Sequence, residues 1–297
     1  MNPFSLGCKL ESPHTRSLYD PAVHPSHPRA LFRSVGATLS LGLTSLAQYQ
    51  GTIFDQGPTE SCEGHRGSMA VQVALGYAKT PLSFIPSPRM SYTNARLYER
   101  VRDKNGQLPA LSDGGCQTSD YVRGLQEIGI EAMGAEVEGR FSDCSPDNVN
   151  NEPSLSDLAV EGENLVLGAY DATNKDLFTT LLTIQASLKA GYPVGLDIVC
   201  DTIFQRWGNG YGANTAPLTT CNTQDPTAGG HAILCTEIAV GSDGTVLLSG
   251  PNSWGDGWGA PSLSDSHKGG HWRATPDWLQ IANFGLTVFK CALKEEQ

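Results

Sequence analysis

An α+β fold with two unlike halves is what this sequence predicts, on three observations. The run Ala70-Val71-x-Val73-Ala74-Leu75-x-Tyr77-Ala78 is apolar nearly all round, as a helix at the centre of a fold would be. Most of the rest of the first half carries helical spacing. From residue 194 onward the pattern changes to strand alternation. At 297 residues the chain suits one large domain or two lobes closing on a cleft, and 39% hydrophobic against 17% charged residues is a globular composition.

Taken in order, residues 1–34 are rich in Pro, His and Ser and predict an extended arm. The segment 35–47 alternates, with Ala37, Leu39, Leu41 and Leu43 on one face and Thr38, Ser40, Gly42 and Thr44 on the other, which predicts a half-buried strand. FDQG at 54–57 is a turn, Cys62 begins the apolar helix, and Gly64, Gly67 and Ser68 let neighbours approach its first turns. Residues 86–101 predict a second helix. Thr118 or Ser119 is expected to cap a third, in which Val122, Leu125 and Ile128 repeat. The polar stretch 142–165 predicts a surface loop or a crossing between lobes. A helix over 176–191 should end at Gly191. Residues 194–200, 231–240 and 244–254 predict strands, with Asp243-Gly244 marking a hairpin between the last two. The expected division is an arm and leading strand at 1–53, a helical lobe at 54–145 and a strand-rich lobe at 146–297.

A formal charge of -11 without any Lys/Arg cluster offers nucleic acid no footprint, so no nucleic-acid partner is expected. No run of 18 apolar residues is present, which argues against a membrane-spanning helix. Nothing ahead of residue 35 has the form of an export signal, so the cytoplasm or a large assembly is the expected location. The eight cysteines include no CxxC pair. Cys200 and Cys235 fall in apolar strand-like runs and predict buried free thiols, and Cys116 with Cys144 is a candidate local disulfide. No metal or cofactor is expected. His14, His24 and His27 lie in a Pro-interrupted segment, and the Cys62-x2-His65 spacing has no second close pair to complete a tetrahedral site.

Chemistry concentrates at three positions. A thiol attacks carbonyls as its thiolate, which a helix N-terminus or a nearby imidazole favours, and Cys62 sits at a predicted helix start. His231 follows Gly229-Gly230 at the head of a strand, and Asn252 leaves the neighbouring strand in a Pro-Asn-Ser-Trp-Gly turn. Adjacent antiparallel strands would bring the two together, the Asn oxygen fixing one ring nitrogen so that the other faces the sulfur. Singly, each has a plainer reading: a structural cysteine, a satisfied strand histidine, a tight turn packing a Trp.

As an ordered set, these blocks resemble the papain-like cysteine peptidases, especially their compact prokaryotic-type members. DQGPTESC is similar to the family's nucleophile block, with Gln56 six positions before Cys62. SPRMSYTNARL and LSDGGCQTSDYVRGLQEIGI resemble its next helix and its Gly-Gly segment, and SLKAGYPVGLDIV the helix-strand unit before the histidine. GGHAILC resembles the histidine block and PNSWGDGWG the asparagine block, and together they span roughly residues 54 to 291. The resemblance implies a two-lobe fold: a helical lobe with a central buried helix, an antiparallel β-barrel-like lobe, and a cleft between them. It implies Cys62 as nucleophile, His231 as base and then acid, and Asn252 as orienter. Gln56 and the Cys62 backbone N–H would hold the oxyanion. Trp254 would shield the Asn252–His231 bond, and Gly114 and Gly115 would let an extended peptide or protein substrate approach. The implied reaction is peptide hydrolysis through a thioester.

Two glutamates depart from the family pattern. Glu60 stands where Gly is usual, at a subsite wall, and Glu63 where Trp is usual, and a carboxylate within about 4–6 Å of a thiolate disfavours its charge. Thr59 and Ser112 occupy the approximate positions of the family's paired cysteines. These departures and the Pro-rich arm motivate the alternative expectation: a papain-fold structural or binding component of a large assembly, such as a virion, contacted by the arm.

Overall fold

The computed structural model describes residues 38–82, 84–100, 105–127, 129–130, 149–150, 165–171, 176–209 and 216–293. The predicted arm at 1–34, Cys144 and nearly all of the polar stretch 142–165 lie outside them.

The first half is helical, with α1 (Cys62–Tyr77), α2 (Pro88–Glu99) and α3 (Thr118–Glu127). A helix with no polar stripe must be covered on all sides, and α1 is buried along nearly its whole length. Small residues make that cover fit. A methyl at Gly64 would stand 2.2 Å from the Pro88 carbonyl oxygen, and one at Gly67 would stand 1.9 Å from the Tyr121 hydroxyl, so α2 and α3 come close only because both are glycine. Pro88 opens α2 behind Ser87, whose Oγ accepts from the Met90 N–H at 3.2 Å. Thr118 is the first residue of α3, and its hydroxyl lies against buried carboxylates.

The second half is strand-rich. The strands are β1 (Gly42–Ser45), β2 (Leu165–Asp171), β3 (Val194–Cys200), β4 (Gly229–Cys235), β5 (Glu237–Val240), β6 (Val246–Pro251), β7 (His271–Ala274) and β8 (Asn283–Leu293). They form two antiparallel sheets, ordered β1-β5-β6-β7 and β2-β8-β3-β4. Among the described residues neither closes on itself, so the expected barrel-like lobe is corrected there to two open four-stranded sheets. Three further helices are α4 (Leu177–Lys189), α5 (Thr202–Trp207) and α6 (Pro276–Ala282). Asp176 caps α4 through Thr179 N–H at 2.8 Å, and Gly191 follows its end at φ +85, as its position predicts.

Two strand expectations change. Residues 231–240 form two strands, because the chain breaks at Thr236, whose N–H donates to Ser249 O at 3.0 Å, and β4 joins one sheet while β5 joins the other. Among the described residues of the leading segment 42–45 is strand, and its apolar face is covered only at one end: Leu39 is half-buried against the core, whereas Leu41 and Leu43 are 70% and 45% exposed. Here α4 holds the chain by its backbone: Ser40 N–H donates to Gln185 Oε1 at 2.7 Å and Ser40 O accepts from Gln185 Nε2 at 2.8 Å. The hairpin at Asp243-Gly244 forms as predicted, closed by Gly241 N–H to Thr245 O at 2.8 Å with Gly244 at φ +84. Cys200 and Cys235 are buried free thiols, and so is Cys116.

Candidate active site

Cys62 is the first residue of α1 and is fully buried. The preceding turn is fastened to the turn that carries Asn252. Gln56 N–H donates to Ser253 O at 2.8 Å, and Asp55 and Trp254 form an antiparallel bridge. The Gln56 amide is held at both ends: Nε2 donates to Thr59 O at 2.7 Å and Oε1 accepts from Ser253 Oγ at 2.5 Å. Gly57, at φ +57, makes the turn that brings Gln56 back towards Thr59.

His231 lies in β4, opposite Ile198 of β3. Its Nε2 is 2.8 Å from Asn252 Oδ1, which also accepts from Ser253 N–H at 2.8 Å. An atom that accepts a backbone N–H is the amide oxygen, so Nε2 must carry the ring proton and Nδ1 presents its lone pair. Nδ1 is buried and has no hydrogen-bond partner. Burial lowers the His231 pKa to about 4, against the opposing pull of the Asn252 bond, so the ring is neutral near pH 7. Trp254 stacks on the imidazole at 4.8 Å and 21°, and Phe204 of α5 closes edge-on at 6.2 Å. The Asn252 backbone is fixed by its N–H to Gly270 O at 2.9 Å. Cys62 packs against Ala232, the residue after His231, and against Phe284.

Glu63 does not stand as an isolated charge beside the sulfur. Its carboxylate is ion-paired with the Arg66 guanidinium, which also binds Asp197 of β3. The Thr118 hydroxyl is 2.9 Å from Glu63 Oε1 and 3.2 Å from Asp197 Oδ1. Glycines leave room for this cluster, since a methyl at Gly285 would lie 2.2 Å from Asp197 Oδ2.

Glu60 is half-buried, and its backbone N–H donates to the Asp113 carboxylate at 3.0 and 3.2 Å. Gly115 sits at φ +71, a conformation that favours glycine. Gly114 differs: a methyl there would meet nothing nearer than Ser112 Oγ at 4.0 Å, so packing within the chain does not require glycine. His65 is a packing residue, bonded through Nδ1 to Ser61 O at 2.9 Å and set edge-on to Phe54 at 5.8 Å. Among the described residues no cluster of three or more His, Cys, Asp or Glu could hold a metal, and no helix is long and apolar enough to cross a membrane.

The structure thus joins His231, Asn252 and Trp254, fastens Gln56 to the Asn252 turn, and packs Cys62 of α1 against the strand that carries His231. Sequence reasoning missed Phe204, Asp113, Tyr92 and the Arg66–Asp197 pair. An arginine at 66, four residues past Cys62 and just ahead of the apolar run 69–75, is the one signal the sequence offers for that pair.

Solved structures share this architecture. Xylellain, a cysteine protease from Xylella fastidiosa, is 17% identical, with 97% of this chain and 91% of that chain covered at a TM-score of 0.55. Digestive procathepsin L 3 of the Tenebrio molitor larval midgut is 17% identical over 86% of this chain and 72% of that one, at 0.55. The bromelain protease of Ananas comosus, solved with the inhibitor E64, is 12% identical over 86% and 100%, at 0.54. No protein-family model and no curated protein sequence matches the chain. The papain-like fold is therefore shown by structure at identities where sequence comparison falls silent.

Proposed function

We propose that this chain, on its papain-like fold, is a cysteine peptidase that cuts peptide or protein substrates through Cys62, His231 and Asn252. The observation that carries the reading is the His231–Asn252 bond, which leaves a bare, buried Nδ1 on the strand against which Cys62 packs. In this reaction Nδ1 takes the thiol proton as Cys62 Sγ bonds to the scissile carbonyl carbon. The developing oxyanion is met by the Cys62 backbone N–H and Gln56 Nε2. The imidazolium then returns the proton to the leaving amine as the C–N bond breaks, leaving a thioester. Water, deprotonated by the same Nδ1, releases the acid and the thiol. Trp254 keeps water from the His231–Asn252 bond by stacking on the ring. Gly114, with no packing reason to be glycine, keeps space for a substrate backbone.

A second reading is favoured by one observation: Cys62 and His231 expose no surface here, so a substrate reaches them only after the site opens. In that reading the chain is a papain-fold binding component of a larger assembly.

The test is treatment with an epoxysuccinyl or iodoacetamide probe, with the adduct mapped by mass spectrometry. Peptidase chemistry requires selective labelling of Cys62 over the other seven cysteines, lost in His231→Ala. Non-selective labelling near neutral pH supports the binding component.

A further inference from the structure

Four groups lie in a continuous hydrogen-bonded line beside the nucleophile. The Glu60 N–H donates to the Asp113 carboxylate at 3.0 Å, the Tyr92 hydroxyl donates to Asp113 Oδ1 at 2.9 Å, and Tyr92 Oη accepts the Gly115 N–H at 3.0 Å. One end of this line is the loop whose Thr59 carbonyl, one residue before Glu60, holds the Gln56 amide. The other end is the glycine segment 114–115. Tyr92 is fully buried in α2, and burial pushes its hydroxyl far above the ordinary phenol range, so it stays a donor at any working pH. One turn further along α2, Arg96 sits over the Tyr92 ring at 3.9 Å and donates to Ser112 O at 3.0 Å. The ring is thereby clamped, and residues 112–115 are held from two points of one rigid helix.

We propose that Asp113 and Tyr92 are positioning residues that tie the Gln56–Cys62 loop to the Gly114–Gly115 segment, so that the two sides of the cleft floor hold their geometry as one unit. Neither touches the reacting atoms. A single carboxylate takes donors from both sides, and the Tyr92 hydroxyl acts as donor to one partner and acceptor to the other, so each bond orients the next. The consequence for catalysis rests on the peptidase reading above: a peptide laid along Gly114–Gly115 would meet an oxyanion site already in register.

The linkage itself is tested without activity, by hydrogen exchange on the full chain with Tyr92→Phe, which keeps the ring under Arg96 and removes only the hydroxyl. Exchange should quicken about tenfold at Gly115, which loses its acceptor, and also at Glu60, which Tyr92 never touches. Quickening at Gly115 alone would overturn the proposal. Asp113→Asn is the reciprocal variant, expected to quicken Gly115 as well as Glu60, and it replaces Tyr92→Phe if that variant fails to fold. Where the wild type cleaves peptides, Tyr92→Phe should lower kcat by about 10- to 100-fold while iodoacetamide alkylation of Cys62 stays within about twofold. An unchanged kcat, or equal loss of turnover and alkylation, would also overturn it. A wild type that is inactive sinks the peptidase reading and leaves the exchange result to decide the linkage.

Discussion

The carboxylate of Glu63 is paired with the guanidinium of Arg66 one turn further along the same helix, and both side chains are wholly buried. Arg66 also reaches Asp197, so the first turn of α1 is joined to β3 by charge as well as by apolar packing. The residue that looked from sequence like an uncompensated charge beside the sulfur is part of a structural cluster.

Removing the cation should therefore cost stability. Arg66→Met would leave two buried carboxylates without it, and urea unfolding should show a loss of about 3–5 kcal/mol. A loss below about 1 kcal/mol would mean that those carboxylates are held adequately by Thr118 and their other neighbours. In Glu63→Gln, alkylation of Cys62 should stay within about threefold of wild type, since the charge removed is directly paired with Arg66. A tenfold acceleration would show that the sulfur feels it.

Stability should fall in mild acid. Burial lowers the pKa of His65, His231 and His271 to about 4, against about 6.5 in an unfolded chain. As pH drops below 6.5 the unfolded chain binds protons that the folded chain refuses. The contribution is thus fully present above pH 6.5 and lost as pH falls through 4, at on the order of 1 kcal/mol per histidine per pH unit. Urea midpoints at pH 7, 5.5 and 4.5 should decrease in that order, and a flat profile would show that these rings are not buried as neutral groups.

Gly64→Ala should destabilise by about 1–3 kcal/mol, because its methyl meets the Pro88 carbonyl, a backbone atom with little freedom to move. At roughly 2–4 °C per kcal/mol for a chain of this class, thermal melting resolves it. An unchanged Tm would mean that α1 and α2 sit further apart.

Gln56→Ala tests the oxyanion role proposed for that side chain apart from nucleophilicity. Loss of one such donor should lower kcat about 10²- to 10³-fold, while the rate of Cys62 alkylation by iodoacetamide stays close to that of the wild type. Parallel loss of both would place Gln56 in the folding of the turn rather than in the reaction.

The parts of this fold legible in the sequence were those that short patterns dictate. The uniform apolarity of residues 70–78 announced a buried helix, Gly191 its neighbour's end, and Asp243-Gly244 a hairpin. The ordered blocks around Gln56, Cys62, His231 and Asn252 led to one locality. What could not be read depends on three-dimensional partners. The alternation at 37–43 was real, but alternation does not say which face a neighbour covers, and Gln185 takes the backbone of Ser40 while Leu41 and Leu43 face outward. The polar pair Thr236-Glu237 interrupts the apolar run at the break, but two polar residues do not say that the chain changes sheets there. Asp113 and Tyr92 sit 21 residues apart and meet only because α2 folds back on the glycine segment.

That break at Thr236 has one more effect. His231 belongs to the sheet of β3 and β8, whereas Asn252 leaves β6 of the other sheet, so the 2.8 Å bond between them is a fastening across two separately hydrogen-bonded bodies. Where they press together, Gly250 lies so near the Leu234 carbonyl that a methyl would be 2.0 Å from its oxygen. Any slip of one sheet over the other, far too small to expose the core, would misalign the imidazole first. On the peptidase reading proposed above, activity lost to heat or denaturant should then disappear before the fold does.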